Sequence, residues 1–155
     1  MQRQGVPPYT PNGLLSRIVG NRLYSVEFVM DYVQLRFDGD EIARGPVVLN
    51  CFAWPRVEFR DRSWSEPELG YADALRGLIP GTVKATAEST GVGLRVELDT
   101  GTVVLHPVLD DVYVEIAELQ GFDDGAWMVW RPGEESFEDL VREPGSLREG
   151  PAGER

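Results

Sequence analysis

Apolar and polar residues alternate in short runs along most of this sequence, which leaves little room for a helical fold. Val33, Leu35 and Phe37 are each separated by one polar residue, and an apolar run from Leu23 to Phe28 precedes them. Successive side chains on a strand point to opposite faces, so this period predicts strands with one buried face. We therefore expect a mainly β fold, a β-rich α+β domain with little helix.

The alternating pattern occurs twice, at a constant offset of 61 residues. Each copy predicts a three-stranded antiparallel meander, over about residues 20–49 and 81–110. The matched positions are Gly20 with Gly81, Glu27 with Glu88, Val33 and Leu35 with Leu94 and Val96, Phe37-Asp38 with Leu98-Asp99, Ile42 with Val103, and Pro46-Val47 with Pro107-Val108. Neither meander buries its apolar face alone, so the two are expected to pack as a sandwich or close into a barrel. Duplication explains the offset, and chance similarity between two amphipathic meanders is the alternative.

Segments rich in Gly and Asp mark the turns between these strands. Asp38-Gly39-Asp40 predicts a hairpin turn that leads into a third strand from Ile42 to Leu49. Near the end of the domain, the segment 121–125 separates two apolar-rich runs, Val112 to Leu119 and Ala126 to Arg131. These runs predict a final hairpin.

One short helix is predicted between the two meanders, over about residues 65–79. Ser65 and Glu68 have the spacing of a capping box, and Pro67 falls in the first turn. Apolar residues then recur every three or four positions, and Gly77 and Pro80 end the pattern. The predicted buried stripe consists of Leu69, Ala72, Leu75 and Ile79.

Both ends of the chain are rich in Gly, Pro and charged residues and contain almost nothing to bury. Residues 1–13 and 143–155 are therefore predicted to be mobile tails on a single domain of residues 14–142. The first twenty residues lack the apolar core of a signal peptide, and no run approaches the length of a membrane span. These patterns predict a cytoplasmic protein that does not contact a membrane.

Composition excludes several function classes. The chain carries 26 Asp and Glu against 15 Lys and Arg, a formal net charge of −11, which argues against a nucleic-acid partner because phosphate contacts need clustered cations. Cys51 is the single cysteine and His106 the single histidine, so neither an intramolecular disulfide nor a His-rich metal site is expected. No cofactor is predicted.

The excess negative charge is concentrated in one segment, the acidic window of residues 110–140. This window holds ten acids and one base, Arg131. A field of one sign on one part of a surface attracts cationic partners, whereas the alternative is a set of solvated loop residues. The two Asp pairs would share a hard cation if their turns met in space, but no metal site is predicted. The acidic candidates for partner binding are Asp110, Asp111, Asp123, Asp124, Glu134 and Glu135.

Two of the four tryptophans, Trp127 and Trp130, lie inside the acidic window. In a strand they point to opposite faces, so one is expected in the core and the other at the surface. A surface tryptophan among carboxylates is a plausible anchor for a cationic protein, and both residues are candidates for partner binding. The alternative is that both rings are packed on a sheet that is covered on both faces.

No catalytic residue is predicted. His106 precedes a proline at the end of a strand, and the sequence places no carboxylate or nucleophile beside it. Cys51 lies in an apolar run with no adjacent base, which favours a buried, inert thiol. The sequence contains no Gly-rich phosphate loop and no nucleophile elbow.

A family resemblance rests on four segments, listed here in chain order: residues 33–39 (VQLRFDG), residues 78–83 (LIPGTV), the meander of residues 94–101, and residues 115–119 (EIAEL) followed by 127–134 (WMVWRPGE). In these segments the chain resembles small uncharacterised β-rich proteins of high-GC actinobacteria, some of which resemble immunity proteins of toxin systems. The resemblance covers roughly residues 18–140. It implies a cytosolic, β-rich, non-enzymatic module and transfers no catalytic residue.

Two classes of function follow from the sequence. The first is a non-enzymatic protein-binding module, such as an immunity-type protein that engages a basic toxin domain through the acidic window. The alternative is a β-barrel that encloses a small ligand, as a carrier or a cyclase-like enzyme, and this requires an internal apolar cavity with a few polar groups. The sequence leaves the oligomeric state open.

Overall fold

The computed structural model describes residues 9–38 and 46–141. The strands form two five-stranded antiparallel sheets, a first sheet with the order β1-β2-β3-β9-β10 and a second with the order β5-β4-β8-β7-β6. In chain order the strands are β1 (Arg22–Val29), β2 (Tyr32–Asp38), β3 (Val47–Cys51), β4 (Arg56–Phe59), β5 (Arg62–Trp64), β6 (Val83–Ser89), β7 (Gly93–Leu98), β8 (Thr102–Leu105), β9 (Ala117–Gln120) and β10 (Met128–Trp130). The predicted mainly β fold is confirmed. The described strands form two separate sheets in a sandwich and not a closed barrel.

Each sheet combines a meander from one half of the chain with a hairpin from the other half. The meander β1-β2-β3 is extended by the hairpin β9-β10, and the meander β6-β7-β8 is extended by the hairpin β4-β5. Each half therefore contributes strands to both sheets. The sheets enclose a continuous core of buried aliphatic and aromatic side chains, so neither half has a complete core without the other.

The two halves meet where β1 and β6 begin. The Leu23 N–H donates to the Gly81 carbonyl at 2.8 Å, and the Val83 N–H donates to the Asn21 carbonyl at 2.9 Å. These reciprocal hydrogen bonds flank an antiparallel bridge between Arg22 and Thr82. The relation of the halves at this point is that of an approximate two-fold axis.

The same backbone bond is formed on each side of this axis. The carboxylate of Asp38 accepts the Arg22 N–H at 3.1 Å, and that of Asp99 accepts the Thr82 N–H at 3.0 Å. Asp38 and Asp99 are matched in the sequence at the offset of 61 residues. Each aspartate therefore holds the start of the first strand of its own half against the end of the second.

Strand pairing changes some of the positions matched at constant offset. Phe28 lies opposite Val33, and Glu88 lies opposite Leu94, so Glu88 is equivalent to Phe28 and not to Glu27. The cause is the turn, because β1 and β2 are joined by two residues and β6 and β7 by three.

The third strands also differ in offset. Cys51 pairs with Val33, and Leu105 pairs with Leu94. Cys51 and Leu105 are therefore equivalent, and they are closer in the sequence than the constant offset of 61 residues. The connection from β2 to β3 is longer than that from β7 to β8. Pro46-Val47 is therefore not paired like Pro107-Val108. The predicted start of the third strand at Ile42 and most of its predicted turn lie outside the described residues.

The helix between the halves is shorter than predicted and buries a different stripe. Helix α1 spans Tyr71–Arg76, and Leu69, which was predicted to be buried, is 95% exposed. Both stripes have helical spacing, so the sequence pattern did not distinguish them. The buried stripe consists of Tyr71, Ala74, Leu75 and Leu78.

Gly70 limits the helix. The Glu68 carboxylate accepts the Ser65 N–H at 2.6 Å, so half of the predicted capping box forms. The chain then passes through Gly70 at φ 97°, a conformation that favours glycine. A Cβ on Gly70 would lie 2.7 Å from the Trp64 ring. The Ser65 turn and α1 are therefore separate.

Part of the predicted N-terminal tail is bound to the domain. Tyr9 and Asn12 hydrogen-bond to Glu88 on β6, and Leu15 in the 3-10 turn Leu15–Ile18 is fully buried. Residues 1–8 and the predicted C-terminal tail lie outside the described residues. None of the described helices has the length and apolar character needed to span a membrane.

Candidate functional site

The fold divides the acidic window between opposite ends of the first sheet. Asp110 and Asp111 precede the start of β9, whereas Asp123 and Asp124 follow its end in the turn to β10. The four residues of β9 span about 13 Å. Asp110 and Asp111 are thus separated from the other acidic pair, although all four residues are close in sequence.

Glu134 and Glu135 occupy a third position, beyond β10. Both side chains are exposed. The 3-10 turn Glu135–Phe137 that follows packs against β6 and β10. The carboxylates that gave the sequence its strongest local charge are therefore distributed over three separate loops.

The two tryptophans of the acidic window have opposite environments. Trp127 is 64% exposed, just before β10, whereas Trp130 is fully buried. The Trp130 indole Nε1–H donates to the Glu88 carboxylate at 2.9 Å. Trp130 is therefore part of the core and cannot anchor a partner. Of the two tryptophans, only Trp127 stays a candidate for partner binding.

The turn that carries Asp123 and Asp124 is partly neutralised by Arg17. The Arg17 guanidinium lies 3.1 Å from the Asp124 carboxylate and 5.2 Å from the centre of the Phe122 ring. Hydrogen bonds from the Ala126 backbone N–H and from Arg17 lower the pKa of Asp124. A cationic partner at this turn would compete with a cation that the protein itself supplies.

A groove at the other end of the first sheet has a different composition. It lies between the β1-β2 turn, the β3-β4 crossing, the Ser65 turn and the segment that links β8 to β9, and its volume is about 510 Å³. A shallower extension of about 220 Å³ continues past the same turn. We call this groove the aromatic trough, and its defining residues are Asp31, Phe52, Trp54, Glu66, Asp111 and Tyr113.

Ring contacts build one wall of the aromatic trough. Trp54 stacks on Phe28 with centroids 6.2 Å apart and meets Tyr71 edge-on at 6.3 Å. Tyr32 packs on Phe52 at 5.3 Å. The Tyr71 hydroxyl donates to the Pro55 carbonyl at 2.5 Å, which fixes the ring beneath Trp54. These contacts place broad apolar surface at the trough in a fixed orientation.

Exposed apolar side chains form the rim of the aromatic trough. Tyr113 is 90% exposed, and Val108 and Val114 in the same β8-β9 connection are also exposed. Met30 is exposed at the tip of the β1-β2 turn, next to Asp31. Exposed apolar groups that cluster beside a groove are typical of interaction surfaces.

The charge of the aromatic trough is predominantly negative. No ion pair is found for Asp31, Glu66 or Asp111 in the part of the chain that the structure describes. Arg56, which also lines the groove, has its guanidinium 3.4 Å from the Glu58 carboxylate. The trough therefore offers carboxylates and aromatic faces to a cationic ligand.

His106, the other basic residue of the trough, is paired with a carboxylate. Its Nε2 lies 2.7 Å from the Asp139 carboxylate, and its ring stacks on Phe137 at 6.3 Å. Partial burial opposes ionisation of Asp139, but hydrogen bonds from His106 and the backbone outweigh it and lower the pKa. The sequence did not place this carboxylate beside His106. Asp139 fixes the imidazole against the 135–140 segment.

Cys51 is buried at the end of β3. Burial raises the pKa of its thiol to about 12, so the thiolate that a nucleophile needs is not populated at neutral pH. Among residues 9–38 and 46–141, no three His, Cys, Asp or Glu side chains come together as a group that would hold a metal ion.

A buried carboxylate forms a second polar centre, the Glu88 cluster. Glu88 is 6% exposed and accepts hydrogen bonds from the Tyr9 hydroxyl, the Asn12 N–H at 2.7 Å, the Trp130 indole N–H at 2.9 Å and the Ser136 hydroxyl at 2.7 Å. Burial and then the neighbouring Glu88 carboxylate raise the pKa of Tyr9. The cluster connects the N-terminal segment, β6, β10 and the 3-10 turn that follows.

The Glu88 cluster acts as a structural centre. Its donors already occupy the carboxylate, and little of it reaches solvent. A buried carboxylate needs such bonds because an unsatisfied one is costly. The sequence offered one signal for this role, because Glu88 interrupts the apolar positions on the inward face of the second meander.

Comparisons of the chain with protein-family models, with curated proteins and with solved structures found no match. Of the predicted site residues, the fold brings Asp110 and Asp111 to the aromatic trough. Sequence reasoning missed Asp31, Trp54 and Glu66, which reach the trough from other segments.

Proposed function

We propose that this protein is a non-enzymatic binding module that engages a cationic protein partner at the aromatic trough. The observation that carries the proposal is the combination, in one groove, of exposed aromatic side chains with Asp31, Glu66 and Asp111, for which no ion pair is found among the described residues. Aromatic side chains supply buried area on binding, and the carboxylates select for positive charge and accelerate encounter.

The charge of the whole chain favours the same class of partner. A net charge of −11 repels nucleic acids and attracts basic proteins. An immunity-type protein that blocks a basic toxin domain is one role of this kind. The small-ligand alternative requires an enclosed apolar cavity, whereas the trough is open to solvent and bears carboxylates.

The proposal moves the binding surface away from the Trp127 turn. Trp127 is exposed, but the nearby Asp124 is already paired with Arg17. At the trough, Asp31 and Asp111 reach the same groove from two segments of the chain. Variants at the two places separate the two hypotheses.

The test uses selection from two displayed libraries, one of linear peptides of about twelve residues and one of small folded scaffolds with a randomised surface. The wild-type protein is the bait, and selected binders are measured against two variants of equal charge change. Asp31→Lys with Asp111→Lys alters the trough, and Glu134→Lys with Glu135→Lys alters the loop beyond β10.

Binders from at least one library are expected to be rich in Lys and Arg. The trough variant should weaken them by about tenfold or more, the loop variant by less than about twofold, and salt raised from about 0.05 M to about 0.5 M should weaken them further. Binders from both libraries that ignore the trough variant would overturn the proposal.

A further inference from the structure

Equivalent positions in the two halves of the sandwich differ in polarity. Val26 and Phe28 on β1 lie opposite Leu35 and Val33, and Thr86 and Glu88 on β6 lie opposite Val96 and Leu94. Directly opposed side chains share a face of the sheet. Because Leu35, Val33, Val96 and Leu94 are buried, both pairs stand on the inward face of an edge strand.

A short segment that enters a turn at Asn12 covers these positions in the second half. The Asn12 side-chain amide donates to the Thr86 carbonyl at 3.2 Å, and its carbonyl oxygen accepts the Thr86 hydroxyl at 2.8 Å. The Asn12 backbone N–H and the Tyr9 hydroxyl donate to Glu88. Residues 9–12 thus lie across the far part of β6, and Glu88 is left 6% exposed.

The equivalent positions in the first half are left open. Phe28 is 47% exposed and Val26 is only partly buried, although both point inward. Beyond the bridge at Arg22, β1 pairs only with β2 among the described strands. Trp54 stacks on one side of Phe28 and also lines the aromatic trough.

We propose that the cationic partner enters the trough as a short linear segment of chain that covers Phe28 and Trp54, as residues 9–12 cover Thr86 and Glu88. This inference rests on the proposed function and specifies the form of the partner. An apolar side chain of the segment packs on Phe28 and Trp54. Flanking Lys or Arg side chains reach Asp31 and Asp111.

The covered positions of the second half suit a segment of the chain itself, and the open positions of the first half suit an external partner. The covered half presents a hydroxyl and a carboxylate, which residues 9–12 satisfy by hydrogen bonds. The open half presents apolar side chains, which bind through area removed from water and do not need fixed hydrogen-bond donors. A second copy of this chain is disfavoured as the occupant, because its net charge has the same sign as the trough carboxylates.

The test compares three single variants against trough-dependent binders from the linear library. Phe28→Ser should weaken these binders by about tenfold or more, whereas Phe28→Leu should retain binding to within about threefold. Trp127→Ser, at an exposed tryptophan on the other end of the sheet, should leave binding unchanged. Circular dichroism and urea unfolding show that each variant is folded.

Two results would overturn the inference while the proposed function stands. In the first, only folded scaffolds give binders that depend on Asp31 and Asp111. In the second, Phe28→Ser has no effect on linear binders that the trough variant weakens. Dimers of the free protein that dissociate when such a peptide is added would instead identify a second copy as the occupant, and peptide binding that appears only when residues 142–155 are removed would identify the chain's own C-terminal segment. Either would also overturn the inference.

Discussion

Glu88 and Phe28 stand at equivalent places in the two halves, yet Glu88 is buried and Phe28 is half exposed. Each position is faced by a tryptophan: Trp130 donates a hydrogen bond to Glu88, and Trp54 stacks on Phe28. The difference is the covering segment, which the chain supplies for β6 through Tyr9 and Asn12. Two similar meanders thus perform different tasks. The second meander anchors residues 9–12 and the turn of residues 135–137, whereas the first leaves Phe28 half exposed.

Removing Glu88 is expected to have the largest effect on stability. Glu88→Ala removes the acceptor of the buried Ser136 hydroxyl and of the partly buried Tyr9 hydroxyl. The Trp130 indole keeps only its 3.1 Å bond to the Tyr9 hydroxyl, and the free energy of unfolding should fall by about 3–4 kcal/mol. Phe28→Ala, at the equivalent position, should cost only about 1 kcal/mol because the ring is half exposed. Urea unfolding measures both. Equal costs would mean that the two positions do not differ as described.

Removing the hydrogen bonds of the Asn12 side chain should make the amide exchange of β6 resemble that of β1. Asn12→Gly keeps the positive φ of 67° accessible but loses the bonds to Thr86, and should cost about 1–2 kcal/mol. Amide hydrogen exchange of residues 85–89 should accelerate toward the rate at residues 25–29. Ser16→Ala, at a weaker exposed bond, is the control, and an equal acceleration there would contradict the assignment.

The bonds near the approximate two-fold axis should behave alike in the two halves. Asp38→Asn and Asp99→Asn each weaken one side chain to backbone bond at the start of a meander, and each should cost about 0.5–1 kcal/mol. Asp38→Asn also breaks the 2.7 Å ion pair with Arg22, which adds little because that pair is largely exposed. Denaturant unfolding should give similar losses in the free energy of unfolding for the two variants. A loss confined to one variant would show that the halves are not equivalent at this point.

The smallest effect concerns acid. Asp124 and Asp139 have lowered pKa values in the folded protein, so their stabilisation is present above the unfolded-state pKa and is lost as the pH falls through the folded-state pKa. The unfolding free energy should therefore decline as the pH drops below about 4. Asp124→Asn with Asp139→Asn should flatten this decline in urea titrations. An unchanged slope would assign it to other carboxylates.

The sequence predicted the elements whose pattern is local. Alternation gave β1 and β2 nearly to the residue, because one face of each lies on the core. The β4-β5 hairpin was missed because Arg60 and Asp61 form its turn with positive φ values of 55° and 63°, without the glycine that marks such turns.

The site was less accessible to sequence reasoning because several distant segments build it. Asp31, Trp54 and Asp111 meet only through the exchange of hairpins between the halves, which no local pattern encodes. Charge density along the chain instead pointed to the turn at Asp124, where Arg17 is the partner. The environment of Trp130 was also ambiguous in the sequence. Alternation places Trp127 and Trp130 on opposite faces of a strand but does not show which face is covered.

Hydrogen–deuterium exchange on the protein bound to a linear, trough-dependent peptide tests the central claim most directly. Such a peptide should slow exchange in residues 25–31, 52–56 and 108–113, because these segments border Phe28 and the aromatic trough. Exchange in residues 85–89, already covered by the N-terminal segment, should not change. Slowed exchange confined to the turn of residues 121–127 would contradict the account and return the binding surface to Trp127.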